Sequence, residues 1–401
     1  MKGECVMMEN AKKELLDFIR TADNVAVRFV ERARNFQGEI YLFGAGNHLP
    51  FVVEFMRKYG VPIKGIIDSN RPSGFYRNPG KGSDDGDIPI INFEEFLSEK
   101  DVERDCWIVM AAPSAEESIR ETVARQLPKV KIFSFEMELY TAFFSLRNIE
   151  AYRTYLVDYW KEFSSLYDAL ADDLSRNTLA AVLRGRLTGD LSWFRQCCVP
   201  DQYYPKDIMR FSRGEIMAEL GAYDGETLKR FIQLCPDYQA AYCFEPDVKL
   251  LHRLREIEKH QAEEGKRVHI VPKGAWDCSA VLSLSNEGTE RGHSCVLGHD
   301  AQAHGYVIKV AAVDEEVKEP ISYMKMDIEG SELRALHGAE RQIRENHPKL
   351  AVCVYHKNED ILDIWNYLRE LVPEYRFYLR HHTVVGTETV LYAVPEDKGE
   401  T

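Results

Sequence analysis

Residues 216–227 read Ile-Met-Ala-Glu-Leu-Gly-Ala-Tyr-Asp-Gly-Glu-Thr. An apolar run that enters a tight glycine loop and then a helix-forming stretch is a strand, a turn and a helix start. The next extended run, Ala241-Tyr242-Cys243-Phe244, closes on Glu245-Pro246-Asp247. A strand, a Gly-rich turn and an acid at the end of the following strand commit the chain to an open α/β sheet with a nucleotide-type cofactor at its edge.

The chain is 401 residues long, which exceeds one compact core and predicts two domains with a connector. A formal net charge of −14 argues against a general nucleic-acid or anionic-membrane surface, since both require excess Lys and Arg. Nine cysteines, with one adjacent pair at Cys197-Cys198 and no CxxC spacing, fit a reducing compartment and no zinc site. Met1 to Asn10 lacks the apolar core of a signal peptide, and no apolar run approaches the ~20 residues of a membrane span. A cytoplasmic location is expected, with neither nucleic acid nor membrane as a partner.

Residues 1–35 form a helical leader in which Leu15, Phe18, Ile19, Val25 and Phe29 continue one apolar pattern, so that Ala11 to Arg34 reads as helix. Residues 36–136 alternate strand and helix. Ile40-Tyr41-Leu42-Phe43 runs into Gly44-Ala45-Gly46, and Ile66-Ile67 ends on Asp68. Ser69 to Asp87 reads as a long loop, and Cys106 to Ala111 and Val130 to Phe133 as later strands. This is a small Rossmann-like domain. Its dinucleotide fingerprint is incomplete, because Leu49 stands where a third glycine belongs. Residues 137–210 are an aromatic-rich helical connector that ends in Asp201-Gln202-Tyr203-Tyr204-Pro205, placed to cover the cofactor as a lid.

Residues 211–401 predict a second, mostly parallel sheet whose last strands, near Phe377 and Leu391, pair antiparallel. Its strand ends carry Glu219-Leu220-Gly221, Glu245, Gly274-Ala275-Trp276, Asp327-Ile328-Glu329 and Tyr355-His356. In such sheets the ligand lies beyond these ends. The glycine loop is acidic, with Glu219, Asp224 and Glu226 in or beside it. That disfavours a pyrophosphate and suits a ligand with an ammonium and a sulfonium, S-adenosylmethionine rather than NAD. Glu245 can accept from both hydroxyls of a ribose. Ser331 is placed to cap the helix that follows it.

Glu-Leu-Gly-Ala-Tyr-Asp-Gly-Glu-Thr (219–227), Phe-Glu-Pro-Asp (244–247) and Lys-Met-Asp-Ile-Glu-Gly-Ser-Glu (325–332) resemble the motifs of FkbM-type methyltransferases. Gly338-Ala339 also matches the family's texture, while Glu219 stands where many members carry Asp. The resemblance spans Tyr203 to Pro395. It implies an S-adenosylmethionine-dependent O-methyltransferase acting on sugar or polyketide-type hydroxyls. By position, Glu219, Gly221, Ala222, Tyr223, Asp224, Gly225 and Thr227 would hold the methionine end of the cofactor. Glu245 with Pro246 would hold the ribose, and Gly274, Ala275 and Trp276 would line the adenine. Asp327 would stand near the sulfonium and the acceptor.

An alcohol acceptor must lose its proton, and Asp327, Glu329 and His356 are the candidate bases. Lys325 precedes Asp327 by two positions and shares its side of the strand; it joins the candidate catalytic set, with an ion pair to Asp327 as its structural reading. His293, Cys295, His299 and His304 match no common metal spacing, so that loop is read as substrate-facing. Asp327 and Glu329 offer carboxylates, but no complete ligand set is visible, and no metal is expected. The expected acceptor is a small molecule or glycan: a sugar, nucleotide-sugar or glycan hydroxyl. The N-terminal domain would bind that acceptor or pair two copies into a homodimer. Two alternatives remain open: a cofactor-binding assembly protein without catalysis, and an NAD-dependent sugar-modifying enzyme working through Gly44 to Gly46. A missing Tyr-x-x-x-Lys argues against the latter.

Overall fold

Two sheets organise the chain, each at the centre of its own compact unit. The computed structural model describes residues 2–77, 87–98, 106–285, 297–298 and 305–396. The first unit comprises residues 1–159, 180–198 and 383–387, and the second residues 160–179, 199–382 and 388–401. The helical stretch 137–210 is thus shared between them rather than standing alone.

The first unit holds Glu39–Phe43 (β1), Gly65–Asp68 (β2), Gly74–Tyr76 (β3), Ile88–Asn92 (β4), Cys106–Met110 (β5) and Lys131–Phe133 (β6). Their order is β3-β4-β2-β1-β5-β6, parallel except for β3 against β4. Tyr41, Phe43, Ile108 and Met110 point to one face and pack on Phe93, Phe96 and Val123. Ile40, Leu42 and Val109 are buried on the opposite face. A parallel sheet covered on both sides needs such continuous apolar strands.

Two expectations change here. The leader is two helices, Lys2–Thr21 and Val25–Arg34, rather than one. Asn24 breaks it: its Oδ1 accepts from Val27 N at 2.9 Å, and its Nδ2 donates to Tyr140 Oη and Leu187 O, both at 2.8 Å. A cap satisfied on both sides outweighs a continuous apolar stripe. The expected loop from Ser69 also contains β3, which adds an antiparallel edge to β4.

The second unit holds Ile216–Leu220 (β7), Ala240–Phe244 (β8), Val268–Val271 (β9), Gly274–Ala275 (β10), Ala280–Ser285 (β11), Leu297–Gly298 (β12), Gly305–Ala311 (β13), Tyr323–Met326 (β14), Lys349–Cys353 (β15), Tyr375–His381 (β16) and Thr389–Pro395 (β17). Seven form one sheet, β16-β17-β15-β14-β7-β8-β9. From β15 to β9 neighbours run parallel, while β17 and β16 are antiparallel additions. This is a Rossmann-like α/β sheet with the antiparallel end that its sequence predicted. β10-β13-β11-β12 form a separate four-stranded sheet. Every residue of β7 and β14 is buried, Glu219 and Lys325 included, so the middle of the large sheet is closed to solvent.

Arg380, 1% exposed, anchors the outer strand β16. It donates to Asp172 and Asp207, each at 2.7 Å, and to Ser175 Oγ at 2.7 Å. Among the described residues no helix is long and apolar enough to cross a membrane.

Candidate active site

The carboxyl ends of β7, β8, β14 and β15 meet along one edge of the large sheet. After β7, Gly221 adopts φ +80, and a Cβ on it would lie 2.0 Å from the Asp327 carbonyl oxygen. Only glycine allows both the left-handed turn and that approach. Gly221 N and Ala222 N both donate to Phe244 O at 3.1 Å, tying the loop to the end of β8. Tyr223 follows at φ +49 with its side chain 58% exposed, and Gly225 at φ +83 opens the helix Glu226–Leu234. A non-glycine residue in the left-handed region carries local strain.

Glu245 fastens this loop from below. Its Oε2 accepts from Tyr223 N and its Oε1 from Asp247 N, each at 2.8 Å, and it is 6% exposed. Burial pushes its carboxyl up, although both backbone hydrogen bonds pull the other way. Pro246 lies against Gly274, whose added Cβ would be 3.8 Å from Pro246 Cγ. Ala275 is buried, and Trp276 N donates to Ala311 O at 3.0 Å. The Trp276 ring lies 5.5 Å from the Arg334 guanidinium, and its carbonyl is the reason for Gly338, where a Cβ would approach to 1.9 Å.

The remaining loop acids differ in availability. Asp224 Oδ2 faces Arg253 at 3.7 Å, and its Oδ1 accepts from Glu226 N at 3.3 Å. Glu226 pairs with Lys229 on the surface. The Thr227 carbonyl accepts from Tyr204 Oη at 2.8 Å. Glu219 is fully buried, opposite Lys325 in the β7/β14 ladder. Its Oε1 has no hydrogen-bond partner among the described residues. Burial raises its pKa to about 7 against the pull of Lys325.

Lys325 does not make the expected ion pair with Asp327. Its Nζ donates to Gly221 O at 2.8 Å and lies 5.0 Å from the Tyr203 ring centre. The loop carbonyl lies within direct reach, while the charge of Lys325 still acts on Asp327 through space.

Asp327 is the centre of the edge. Tyr203 Oη donates to its Oδ2 at 2.8 Å, and Tyr355 Oη stands 3.2 Å from both its Oδ1 and Glu388 Oε1. Burial would raise the Asp327 pKa, but Lys325, His356 and the Tyr203 hydroxyl together hold it below the ordinary value. Glu388 goes the opposite way, to about 7, through burial and the Asp327 charge. Segment 201–205 is therefore no lid. Tyr203 is buried, with its N–H on Tyr392 Oη at 3.0 Å and its carbonyl accepting from Tyr323 Oη at 3.0 Å.

His356 sits behind Asp327 with its side chain 1% exposed. Its Nδ1 is 3.0 Å from Glu332 Oε1, and its Nε2 is 3.5 Å from Asp327 Oδ1 and 3.6 Å from Glu329 Oε2. Burial pulls its pKa down, but Glu332, Asp327 and Glu329 outweigh that and push it to about 10. At neutral pH the ring is then an imidazolium and a poor general base. Ser331 occupies the N-cap position before the helix Glu332–His337 but makes no side-chain cap. Glu332 Oε1 instead accepts from Ile328 N in the preceding turn, at 2.9 Å.

The structure therefore gathers Glu219, Gly221 to Gly225, Glu245, Pro246, Gly274, Lys325, Asp327, Glu329 and His356 along one edge of the second unit. Sequence reasoning missed Glu388, gave no role to Glu332, and read Tyr203 only as part of a lid. Glu332 lay inside the Asp-Ile-Glu-Gly-Ser-Glu motif, whereas Glu388 had no signal beyond a polar turn between two strands. His293, Cys295, His299 and His304 lie outside the described residues.

Residues 219–377 match the family model of the methyltransferase FkbM domain. A crystal structure of methyltransferase FkbM from Methylobacillus flagellatus KT superposes with a TM-score of 0.72 at 25% identity, covering 97% of this chain and 99% of that one. An rRNA methylase from Streptococcus thermophilus gives a TM-score of 0.30 at 14% identity, over 46% of this chain and 87% of that one. Fibrillarin from Aeropyrum pernix, in complex with S-adenosyl-L-methionine, gives 0.31 at 10% identity, over 47% and 71%. No curated protein matches the chain significantly. Residues 219–377 match the methyltransferase FkbM domain, and the chain is an S-adenosylmethionine-dependent methyltransferase.

Proposed function

We propose that this enzyme methylates a hydroxyl of a sugar, nucleotide-sugar or glycan, with Asp327 facing the acceptor. In this reading the cofactor lies over the glycine loop. Glu219 and the loop from Gly221 to Thr227 hold its methionine end, Glu245 its ribose, and Gly274 to Trp276 its adenine. The acceptor oxygen attacks the methyl carbon in line. The O–CH₃ bond forms, the S–CH₃ bond breaks, and sulfur keeps the electron pair as S-adenosylhomocysteine leaves. The acceptor proton passes to Asp327, and Tyr355 links that carboxylate to Glu388, whose pKa of about 7 suits proton storage at neutral pH. Orientation supplies much of the rate in such a displacement.

The observation that carries this reading is the ionised Asp327 carboxylate. It is held by Tyr203 and Tyr355 beside the Gly221 loop, with its side chain 24% exposed. A charged acceptor of hydrogen bonds at that place suits a hydroxyl nucleophile.

The first unit repeats the loop geometry. Ala45 N donates to Asp68 Oδ2 at 2.7 Å, as Tyr223 N does to Glu245. This likeness favours a role for that unit in holding a nucleoside-bearing acceptor over a role in pairing two copies.

Methyl transfer from labelled S-adenosylmethionine to a panel of sugars, nucleotide sugars and glycans tests the proposal. Alkali-stable label in a sugar ether is expected. Label confined to amines or carboxylates would sink it.

A further inference from the structure

We propose that His382 is a positioning residue for methyl transfer: through the Tyr392 hydroxyl it holds the backbone of Tyr203 in the conformation from which the Tyr203 phenol reaches Asp327. His382 follows β16, Tyr392 lies in β17 and Asp327 follows β14, and all of them belong to the second unit with Tyr203.

Tyr203 needs holding. It stands at φ +65, in the left-handed region that a bulky side chain rarely adopts, and it is buried. Two hydroxyls from different strands fix its backbone. Tyr203 N donates to Tyr392 Oη at 3.0 Å, and Tyr323 Oη donates to Tyr203 O at 3.0 Å. Its own hydroxyl then donates to Asp327 Oδ2 at 2.8 Å.

Donor and acceptor roles set the state of the histidine. His382 Nδ1 lies 2.9 Å from the Val199 carbonyl oxygen, which can only accept, so Nδ1 carries a proton. His382 Nε2 lies 2.9 Å from Tyr392 Oη. That hydroxyl already accepts from Tyr203 N, and its own proton goes to Nε2 only where Nε2 keeps its lone pair. The ring is therefore neutral and protonated at Nδ1. A second proton, on Nε2, would evict the hydroxyl proton from its acceptor and loosen the Tyr392 hydroxyl in a buried place.

The surroundings favour the neutral ring. Burial and the Arg380 charge hold the His382 pKa below the ordinary imidazole value, against the Val199 and Pro200 carbonyls and the Asp201 charge, which favour the protonated form. His356 is the opposite case, kept charged by Glu332, Asp327 and Glu329. The path from His382 to Tyr203 stands on these distances alone, while its effect on turnover rests on Asp327 facing the acceptor, as proposed above.

Proton–nitrogen correlation spectra of the full chain, isotope-labelled at histidine, report the tautomer without any acceptor. The His382 signal, identified by its absence in His382→Gln, should be that of a neutral Nδ1–H ring at neutral pH. An imidazolium or an Nε2–H ring there overturns the proposal. Turnover is measured with the acceptor that the labelled panel identifies, whatever its class. His382→Ala should lower kcat about tenfold, the effect of a weakened hydrogen bond to a charged group, and leave the KM for S-adenosylmethionine nearly unchanged. His382→Gln offers an amide oxygen to the Tyr392 hydroxyl and does not titrate. It should restore most of kcat and move the acid limb of the kcat profile to lower pH. Thermal unfolding checks that each variant is folded. If the alanine variant is not, Tyr392→Phe, which removes only the hydroxyl, carries the same kcat expectation. Unchanged kcat in the folded variant, a folded His382→Gln as slow as the alanine variant, or an unmoved acid limb overturns the proposal. Methyl transfer to an acceptor other than a sugar overturns the acceptor class and leaves these expectations in place.

Discussion

The Cα of Gly221 rests against the carbonyl oxygen of Asp327, so closely that a methyl group on it would come within 2.0 Å of that oxygen. Gly214 has nearly the same backbone, φ +79, with nothing within 4 Å of an added Cβ. The pair separates conformation from contact. Gly214→Ala should cost about 1–2 kcal/mol, the penalty of the left-handed region alone. Gly221→Ala should cost clearly more, because the loop must move off β14, and should abolish cofactor binding. Denaturant midpoints and calorimetry measure both. Equal losses in the two variants would show that contact with Asp327 is not what demands glycine.

Glu245 ties Tyr223 N and Asp247 N, so its truncation disturbs more than a ligand contact. Glu245→Ala should lower stability by about 1–3 kcal/mol by leaving backbone donors unpaired. Glu245→Gln keeps one acceptor oxygen and should retain most of the fold. S-adenosylmethionine affinity should still drop at least about tenfold in Glu245→Gln, as expected when a charged partner of two hydroxyls is lost. Unchanged affinity would remove Glu245 from the ribose.

With Glu219 on the cofactor's ammonium, as proposed, cofactor binding should depend on pH. Burial raises its pKa to about 7 from 4.5, so it is neutral below about 7 in the ligand-free fold. An ammonium group binds the ionised form. Affinity should therefore rise as pH climbs to about 7 and level off above it, with a slope approaching tenfold per unit well below. Ligand-free stability should run the other way. The folded state binds the proton more tightly than the unfolded one, so the contribution of Glu219 is present below about 4.5 and lost as pH rises through about 7. Calorimetric titration between pH 5.5 and 8.5, with Glu219→Gln as control, tests this. Identical pH profiles in the two proteins would discount the group.

Tyr203 gives Asp327 its shortest hydrogen bond, 2.8 Å. Tyr203→Phe should lower kcat about tenfold, the worth of one hydrogen bond to a charged group, and leave the KM for cofactor nearly unchanged. The acid limb of the kcat profile should shift upward, because the carboxylate loses a donor. A pure KM effect would make Tyr203 a packing residue only.

Arg380 is a buried cation between Asp172 and Asp207. Arg380→Ala should cost about 3–5 kcal/mol, since it empties a buried site and removes the cation that Asp172 and Asp207 face. Arg380→Met, which keeps the volume, should cost less. Urea denaturation of both variants decides whether charge pairing or packing dominates.

The glycine loop and the strand-end acids were readable because a strand's apolar run, a positive-φ glycine and a closing carboxylate are local features. Gly221, Glu245 and Asp327 each announce themselves within a few residues. Tyr203, Glu388 and the role of Glu332 were not readable, because each depends on pairing between distant segments. Tyr203 reaches Asp327 only because strands β7, β14 and β15 are neighbours, which nothing near residue 203 encodes. Lys325 illustrates the limit. Alternation put it on the Asp327 side of β14, but only the path of the loop shows that Gly221 O captures its ammonium. The leader helix was misread for the opposite reason: Asn24, a short local cap, overrode an apolar pattern that spanned it.

The turn joining β16 to β17 carries a consequence for how the protein is made. Residues 383–387 belong to the first unit, and Gly386 N donates to Glu136, a fully buried carboxylate that otherwise accepts from Leu139 N. Val385 packs with Leu191 and Phe194 in the same unit. On the ribosome, the amino-terminal sheet can therefore assemble early but cannot close its core until nearly the whole catalytic half has emerged. Its first-made portion must wait, with an apolar seam uncovered and an acid short of a donor, for a five-residue turn synthesised after most of the second sheet.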